Sequence, residues 1–379
     1  MLKRLCTLLL SLLILFPPIS AIEPVEKLRS AKRAKLKMPY LSMALTAEYI
    51  GPVLHEPNWY VWCFSPLMME DGKVHAFVSR WPAAEGMEGW NRKHAEIAHY
   101  IAERPEGPFH YVKTVLHTDS LPDSTTMLAP HNPRVEKVDG KYICLFICQD
   151  PSSQRLCGNQ RIGMLIADHV DGPWRFAGNN QGIMISASQQ PEHWTYQSAI
   201  GTDNPAFAKI KDKYYIYFKA GTPRQMEAKY GYAVADQLEG PYTLSQAPIT
   251  DNISYIEDAQ AFTTDSCCYL LTTDNFGKNC GVYGNLILWK SNDGKSFLRK
   301  DAKIAFGNIF DYWGTRKERK SLLKKDTVFV RNKSGKLERP ALLSVNGIPT
   351  YLYGVGGVNI RGRHVAEPYV FKIKWNNGK

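Results

Sequence analysis

Beyond its first 21 residues the sequence lacks any long apolar run, so we expect no later membrane span, because a spanning helix needs about 20 consecutive apolar residues. The one run present, Leu5 to Phe16, follows Lys3 and Arg4 and is followed by Ile19-Ser20-Ala21. Positive, apolar and small-residue regions in this order are typical of an export signal. We predict cleavage after Ala21 and a periplasmic or extracellular protein. An uncleaved N-terminal anchor is the alternative.

The sequence also lacks metal and nucleic-acid motifs. Its cysteine spacing fits no zinc site, and we expect no nucleic-acid partner. An odd number of cysteines remains after cleavage, and export permits disulfides without requiring them. Cys144 and Cys148 share one face of a predicted strand, which is typical of core residues. The remaining cysteines are Cys63, Cys144, Cys148, Cys157, Cys267, Cys268 and Cys280.

Acidic residues are outnumbered, 36 against 47 basic ones, and the net charge is +11. Much of the excess lies in two clusters, within 27–37 and 316–325. Such clusters attract anionic polymers, which leaves an anionic saccharide open as a partner, although a solvated surface is the favoured explanation. We expect a basic N-terminal segment over 22–42 and a single domain over 43–379.

Outside residues 24–37 the sequence shows little helical periodicity. It shows instead a repeat of strands and turns. Each of five units has a polar turn, a strand, a hairpin turn with Gly or Asp, and an aromatic-rich strand. Three units end in Gly-Pro-aromatic, as at Gly107-Pro108-Phe109, Gly172-Pro173-Trp174 and Gly240-Pro241-Tyr242. The five turns are Phe64-Ser65-Pro66, His131-Asn132-Pro133, Asp203-Asn204-Pro205, Glu257-Asp258-Ala259 and Glu338-Arg339-Pro340.

Five units of about 55 to 80 residues predict an all-β fold, a five-bladed β-propeller with four antiparallel strands per blade. The strand around 43–53 is expected to join the last blade and close the ring. A pair of β-sandwiches is the alternative.

The innermost strand of each propeller blade lines a central channel, so the five turns should meet at one mouth of it. Their side chains are carboxylates and hydrogen-bonding groups, which suits a saccharide. The predicted set is Ser65, His131, Asn132, Asp203, Asn204, Glu257, Asp258, Glu338 and Arg339.

Glycosidic cleavage usually needs two carboxyl groups, with pKa values set apart by their surroundings. We predict Glu257 or Asp258 as the acid and Glu338 or Asp203 as the opposing carboxylate. Only one of Glu257 and Asp258 should face the channel, because strand side chains alternate. Arg339 is expected to keep Glu338 ionised.

Other residues are candidates for substrate binding. Arg80 and Trp81 end an aromatic strand and are suited to clamping or stacking on a sugar, and Glu96 is a candidate for facing the channel. His131 is either a proton carrier or a hydrogen-bond donor to a hydroxyl. Arg161, Lys219 and Tyr196 are weaker candidates. We expect no cofactor, although a cation such as calcium in the channel is compatible with the pattern.

The turns at 131–133, 203–205 and 257–258, with the Gly-Pro-aromatic endings, resemble the five-bladed propeller glycosidases of glycoside hydrolase family 43 and its relatives. The resemblance covers about residues 60–375. It implies an Asp base on blade one, an Asp that tunes the acid on blade three and a Glu acid on blade four, with inversion. Glu257 matches the acid, Asn204 takes the Asp-Pro position beside Asp203, and Ser65-Pro66 lacks the base.

These observations predict an exported, exo-acting glycoside hydrolase that cleaves oligosaccharides derived from polysaccharides. Two alternatives remain open. One is a non-catalytic carbohydrate-binding propeller, which the missing base favours. The other is a polysaccharide lyase that uses His131, a tyrosine and an arginine on an acidic sugar.

Overall fold

The computed structural model describes residues 47–122, 127–150, 159–221, 228–264, 266–281, 284–307, 336–360 and 363–373. The predicted export signal, the basic N-terminal segment, Cys157 and the second basic cluster lie outside them. The described residues are nearly all strand and turn, which confirms the predicted all-β class. Within this part of the chain no helix is long and apolar enough to cross a membrane. The helices are short 3-10 turns at Ala83–Glu85, Met87–Asn91, Thr118–Ser120 and Arg299–Asp301.

The strands form five antiparallel sheets, which are the blades. Blades one to three each begin with the strand that carries a predicted turn. Blade one has β2 (Trp59–Met68), β3 (Val74–Pro82), β4 (Glu96–Ala102) and β5 (His110–His117). Blade two has β6 (Leu128–Val138), β7 (Lys141–Gln149), β8 (Gln160–Ala167), β9 (Arg175–Phe176) and β10 (Ile183–Ile185). Blade three has β11 (Thr202–Ile210), β12 (Lys213–Ala220), β13 (Lys229–Ala235) and β14 (Thr243–Leu244).

Blade five combines the two ends of the described chain. At its outer edge, β1 (Ala47–Pro52) pairs with β21 (Arg363–Ile373), which confirms the predicted closure of the ring. Blade four has β15 (Ile256–Thr263), β16 (Cys268–Asp274), β17 (Leu286–Ser291) and β18 (Lys303–Phe306). Blade five has β19 (Glu338–Val345), β20 (Ile348–Ile360), β21 (Arg363–Ile373) and β1 (Ala47–Pro52).

The first strands of the blades pack against one another in a ring. Strand β2 contacts β6, β6 contacts β11, β11 contacts β15, β15 contacts β19, and β19 returns to β2. This closed order confirms the five-bladed propeller and excludes two stacked sandwiches.

Each inner strand carries a bulge at the same position. Pairing with the second strand shifts there, and the bulged residue has a positive φ: Cys63 (55°), Asn132 (53°), Asn204 (49°), Asp258 (65°) and Arg339 (52°). The predicted turn of blade one was therefore placed wrongly. Its counterpart is Trp62-Cys63-Phe64 rather than Ser65-Pro66, because the bulge and not the proline fixes the register.

Apolar side chains fill the space between neighbouring blades. Phe64 of blade one stacks on Tyr353 of blade five with ring centroids 4.7 Å apart. Cys144 and Cys148 are fully buried, which confirms them as core residues. All six cysteines of the described chain are free thiols, so blade packing there depends on burial rather than on disulfides.

Ser65 belongs to this packing. Its buried Oγ accepts a hydrogen bond of 2.8 Å from the Val135 backbone N–H, which ties blade one to blade two. Ser65→Ala leaves that N–H without its partner, so we expect a loss of about 1–3 kcal/mol in the free energy of unfolding, measured with urea. The control is Ser266→Ala in an exposed hairpin, where the change should stay within about 0.5 kcal/mol. Unchanged stability of Ser65→Ala would show that this bond is not structural.

Candidate active site

A cavity of about 430 Å³ lies where the five bulges meet, near the lower end of the usual range of about 300–1,000 Å³ for small-molecule sites. One wall, from blade one and its following turn, is largely aromatic, with Trp62, Trp81 and Trp90. Four carboxyl groups from blades three to five also line it. The structure thus brings together the predicted turn residues except Ser65, namely His131, Asn132, Asp203, Asn204, Glu257, Asp258, Glu338 and Arg339.

Lys219 is the centre of the acidic side. It lies on β12 and is 2% exposed. Its Nζ is 3.0 Å from Glu257 Oε2 and 3.3 Å from Asp203 Oδ2, and it donates a hydrogen bond of 2.8 Å to Tyr255 Oη. Both carboxylate oxygens lie near the same nitrogen, Lys219 Nζ. The distance between the two oxygens therefore cannot exceed the sum of their distances to that nitrogen. One buried ammonium group therefore holds two carboxyl groups of adjacent blades.

The two carboxyl groups around Lys219 differ in charge state. Burial raises the pKa of Asp203 to about 6, and the attraction of Lys219 only partly opposes this. Within the described part of the chain, the buried Oδ1 of Asp203 has no hydrogen-bond partner. Burial also acts to raise the pKa of Glu257, but Lys219, Lys336 and Arg339 outweigh it and hold that pKa below its usual value. Of the two, Asp203 is thus the group that takes up a proton first, as the pH falls through about 6, while Glu257 stays ionised.

Both carboxylate oxygens of Asp258 contact neighbouring polar groups. Its Oδ1 accepts a hydrogen bond of 3.1 Å from Asn204 Nδ2 and lies 2.9 Å from Arg339 Nε, and its Oδ2 accepts one from the Arg339 backbone N–H. Burial raises the pKa of Asp258 above its usual value. With both oxygens engaged, Asp258 serves to fix the bulges of blades three and five.

Two expectations about these residues were wrong. Glu257 and Asp258 both line the cavity, because the bulge at Asp258 interrupts the alternation of side chains. Arg339 pairs with Asp258 rather than with Glu338. Glu338 instead forms an ion pair with Lys336, which lies two residues earlier in the segment before β19.

Sequence reasoning missed Lys336, Asn275 and Tyr255. Lys336 donates a hydrogen bond of 2.7 Å to Asn275 Oδ1, and Asn275 Nδ2 donates to Glu257. Asn275 directly follows β16, and Tyr255 directly precedes β15, so both lie outside the repeated turns. The only sequence feature that could have indicated Asn275 and Tyr255 is their position next to a strand end at the mouth of the channel.

His131 lies on the other side of the cavity and is almost fully buried. Its Nδ1 donates to the Ala129 carbonyl at 2.7 Å, whereas its Nε2 meets no hydrogen-bond partner in the described ranges. Burial lowers the pKa of His131 to about 3, so the ring is neutral. The hydrogen-bond network therefore assigns Nε2 as an acceptor, and the expectation of a donor to a sugar hydroxyl was wrong.

Several predicted binding residues do not line the cavity. Arg80 is held by Glu56 and Glu96 and lies over the rings of Trp59 and Tyr111 at 4.4 and 4.2 Å. Glu96 is thereby directed to Arg80 rather than to the channel. The others are Arg161, which pairs with Asp150, and Tyr196, which accepts a hydrogen bond from Gln197. Trp81 and Lys219 do line the cavity.

The channel residues do not suit a calcium ion. The buried guanidinium of Arg134 donates to the carbonyls of Ala259 (3.2 Å) and Pro340 (3.3 Å), so a fixed positive charge already links blades two, four and five. Glu257, Asp258 and Glu338 each offer an oxygen within 4.8 Å of the others. Lys219, Lys336 and Arg339 pair with those carboxylates and would repel an added cation.

The fold belongs to a class found among glycoside hydrolase propellers. A family 117 glycoside hydrolase from the marine bacterium Zobellia galactanivorans superposes with a TM-score of 0.61 at 15% identity, over 87% of this chain and 91% of that one. A family 43 β-xylosidase/α-arabinofuranosidase from a compost metagenome, in complex with xylotriose, gives 0.54 at 14% identity, over 87% and 96%.

A family 43 endo-arabinanase from Bacillus licheniformis gives a TM-score of 0.52 at 11% identity, over 86% of this chain and 97% of that one. No protein-family model matches the chain, and no curated protein matches its sequence. At these identities the likeness establishes the five-bladed fold, and the chemistry must be argued from the residues of the site.

Proposed function

We propose that this protein is an exported glycoside hydrolase that acts on the ends of saccharide chains. The observation that carries the proposal is the pair Asp203 and Glu257, two carboxyl groups that share Lys219 but differ in protonation. Such a split of pKa values marks the acid and its ionised partner in glycosidases. The aromatic wall of the same cavity, where Trp62 and Trp90 are partly exposed, is suited to stacking on a sugar and supports the same reaction class.

Asp203 is the proton donor in this proposal. Its protonated carboxyl, with one buried oxygen free, protonates the glycosidic oxygen as the bond to the sugar breaks. Ionised Glu257 then either stabilises the positive charge that develops on the sugar or activates water. These roles reverse those implied by the family 43 resemblance, in which the blade-four Glu is the acid.

The shape of the cavity supports attack at chain ends. Arg134 bridges three blades at the channel, and the cavity volume of about 430 Å³ is small for a site that must hold a chain passing through it. A pocket of this kind accepts a terminal sugar and leaves the rest of the chain outside. The family 43 neighbour solved with xylotriose is a xylosidase/arabinofuranosidase, which makes neutral plant oligosaccharides the first substrates to test.

A carbohydrate-binding propeller is the second candidate, because the wall from blades one and two offers no carboxylate opposite Asp203 and Glu257 among the described lining residues. The purified protein should be incubated with panels of neutral and anionic oligosaccharides. Release of a terminal sugar with addition of water supports the proposal. Tight binding without cleavage supports the binding propeller, and an unsaturated product indicates a lyase; either result overturns the proposal.

The aromatic wall provides a prediction about binding. Trp90 is partly exposed and lies 5.1 Å from the His131 ring. Trp90→Ala should raise KM about tenfold with little change in kcat, since an aromatic contact contributes about 0.5–1.5 kcal/mol. Trp59→Ala is the matched control, because Trp59 stacks on Arg80 outside the cavity. Equal effects in both variants would show that Trp90 does not contact the sugar.

A further inference from the structure

A second cluster of chemically active side chains lies on the outer part of blade one, away from the cavity. His75 on β3 and His99 on β4 are diagonal neighbours on one face of the sheet, because His99 pairs with Phe77. Asp171 lies in the turn of blade two that leads to Gly172 and faces both rings. The three residues each offer one ligand atom, and these atoms all lie within 4.8 Å of one another.

The contacts within this cluster are incomplete. His75 Nδ1 is 2.9 Å from His99 Nε2, and Asp171 Oδ1 lies 3.9 Å from His75 Nδ1 and 3.8 Å from His99 Nδ1. The last two distances are too long for hydrogen bonds. His99 is 0% exposed, and its Nδ1 has no hydrogen-bond partner among the described residues. A buried ring nitrogen without a partner is costly unless another group binds it.

The space between Asp171 and the two imidazole rings has the dimensions of a metal site. Two ligands of a tetrahedral zinc ion, each at about 2.0–2.1 Å, are separated by about 3.3 Å, so shifts of about half an ångström would bring Asp171 to both rings. Imidazole and carboxylate are ligands that suit Zn²⁺. Phe77 stacks flat on the His99 ring and fixes its plane.

We propose that His75, His99 and Asp171 form a site for a zinc-type divalent ion. The ion would join the β3–β4 face of blade one to the outer turn of blade two. Asp171 is 67% exposed on its side chain, which gives the ion a path from solvent and leaves a coordination position for water. The site lies apart from the Lys219 centre and does not depend on the proposed hydrolase activity.

The test is a calorimetric titration of Zn²⁺ into the full-length, tag-free protein after chelator treatment, with Co²⁺ absorption as a second readout. We expect one saturable equivalent, a tetrahedral Co²⁺ spectrum, and a higher Tm with Zn²⁺. Asp171→Asn should weaken binding at least tenfold, and His75→Gln should abolish it. Asp168→Asn is the matched control, since Asp168 is an exposed acid of the same turn that pairs with Lys141 and should leave binding unchanged.

Two results would overturn the proposal. One is the absence of saturable binding by the wild-type protein. The other is one equivalent of binding that survives both Asp171→Asn and His75→Gln, which would place the ion elsewhere; loss of that binding in Glu338→Gln would then locate it at the acidic cavity. Because Asp171 is exposed, its variant should fold normally, and circular dichroism of each variant shows whether lost binding reflects lost structure.

Discussion

Replacing Asp203 by Asn is expected to reduce the rate of glycosidic cleavage by about 10²–10⁴-fold, the usual contribution of a general acid. The amide keeps the shape of the side chain but has no proton to give to the leaving oxygen. Glu257→Gln should cause a loss of the same order, because the uncharged amide cannot stabilise the developing cation or activate water. Initial rates on the substrate found by screening, with circular dichroism as a check of folding, measure both effects.

The pH dependence separates the two roles. Asp203 acts in its protonated form, so the wild-type rate should fall as the pH rises through about 6, the pKa that burial gives this group. The residual activity of Asp203→Asn should lack that fall, whereas Asp212→Asn, a change in the exposed hairpin of the same blade, should keep the wild-type profile. If Glu257→Gln rather than Asp203→Asn removed the fall at high pH, the roles would be the reverse of those proposed.

Lys219→Met is expected to lower the free energy of unfolding by about 3–5 kcal/mol near neutral pH, because it leaves Glu257 and Asp203 buried without their shared cation. Glu257 has a lowered pKa in the folded protein, so its stabilising contribution is present above its unfolded pKa and is lost as the pH falls through the folded one. The deficit of Lys219→Met should therefore shrink in acid, where both carboxyl groups take up protons.

Urea unfolding at several pH values measures this effect. Lys213→Met is the matched control, since Lys213 begins the same strand and forms only an exposed pair with Asp236. That change should stay within about 0.5 kcal/mol. A deficit in Lys219→Met that is small, or constant with pH, would contradict the role given to the ammonium group.

The fold could be predicted from the sequence because each blade uses the same kinds of turn and bulge, and these require particular residue types. Polar residues at the bulges of four inner strands, Asp-Gly or Asn-Gly turns in the inner hairpins, and Gly-Pro-aromatic segments after the third strands of blades one to three recur irrespective of the side chains between them. Blade one shows the limit of this reasoning. Its bulge falls on Cys63, and neither Trp62 nor Cys63 resembles the polar residues at the same place in the other blades.

The sequence predicted most of the residues that line the cavity, but it did not predict which of them form ion pairs with one another. Residues at equivalent bulges had to meet at one mouth, which placed Asp203, Glu257 and Glu338 together. Their partners depend on distances between blades. Lys219 comes from a second strand and Lys336 from the segment before β19, and no local pattern indicates that they neutralise Glu257 and Glu338. Arg80 was misplaced for the same reason, since Glu56 and Glu96 hold it elsewhere.

The central claim is that Asp203 carries a proton at mildly acidic pH while Glu257, held by the same lysine, does not. Carboxyl carbons of the labelled wild-type protein can be followed by NMR during a pH titration, with Asp203→Asn and Glu257→Gln used to assign the two signals. We expect the Asp203 signal to titrate near pH 6 and the Glu257 signal to remain that of an ionised carboxylate well below pH 4. An Asp203 signal that titrates near the ordinary value of about 3.9, or a Glu257 signal that takes up its proton near neutrality, would contradict this claim.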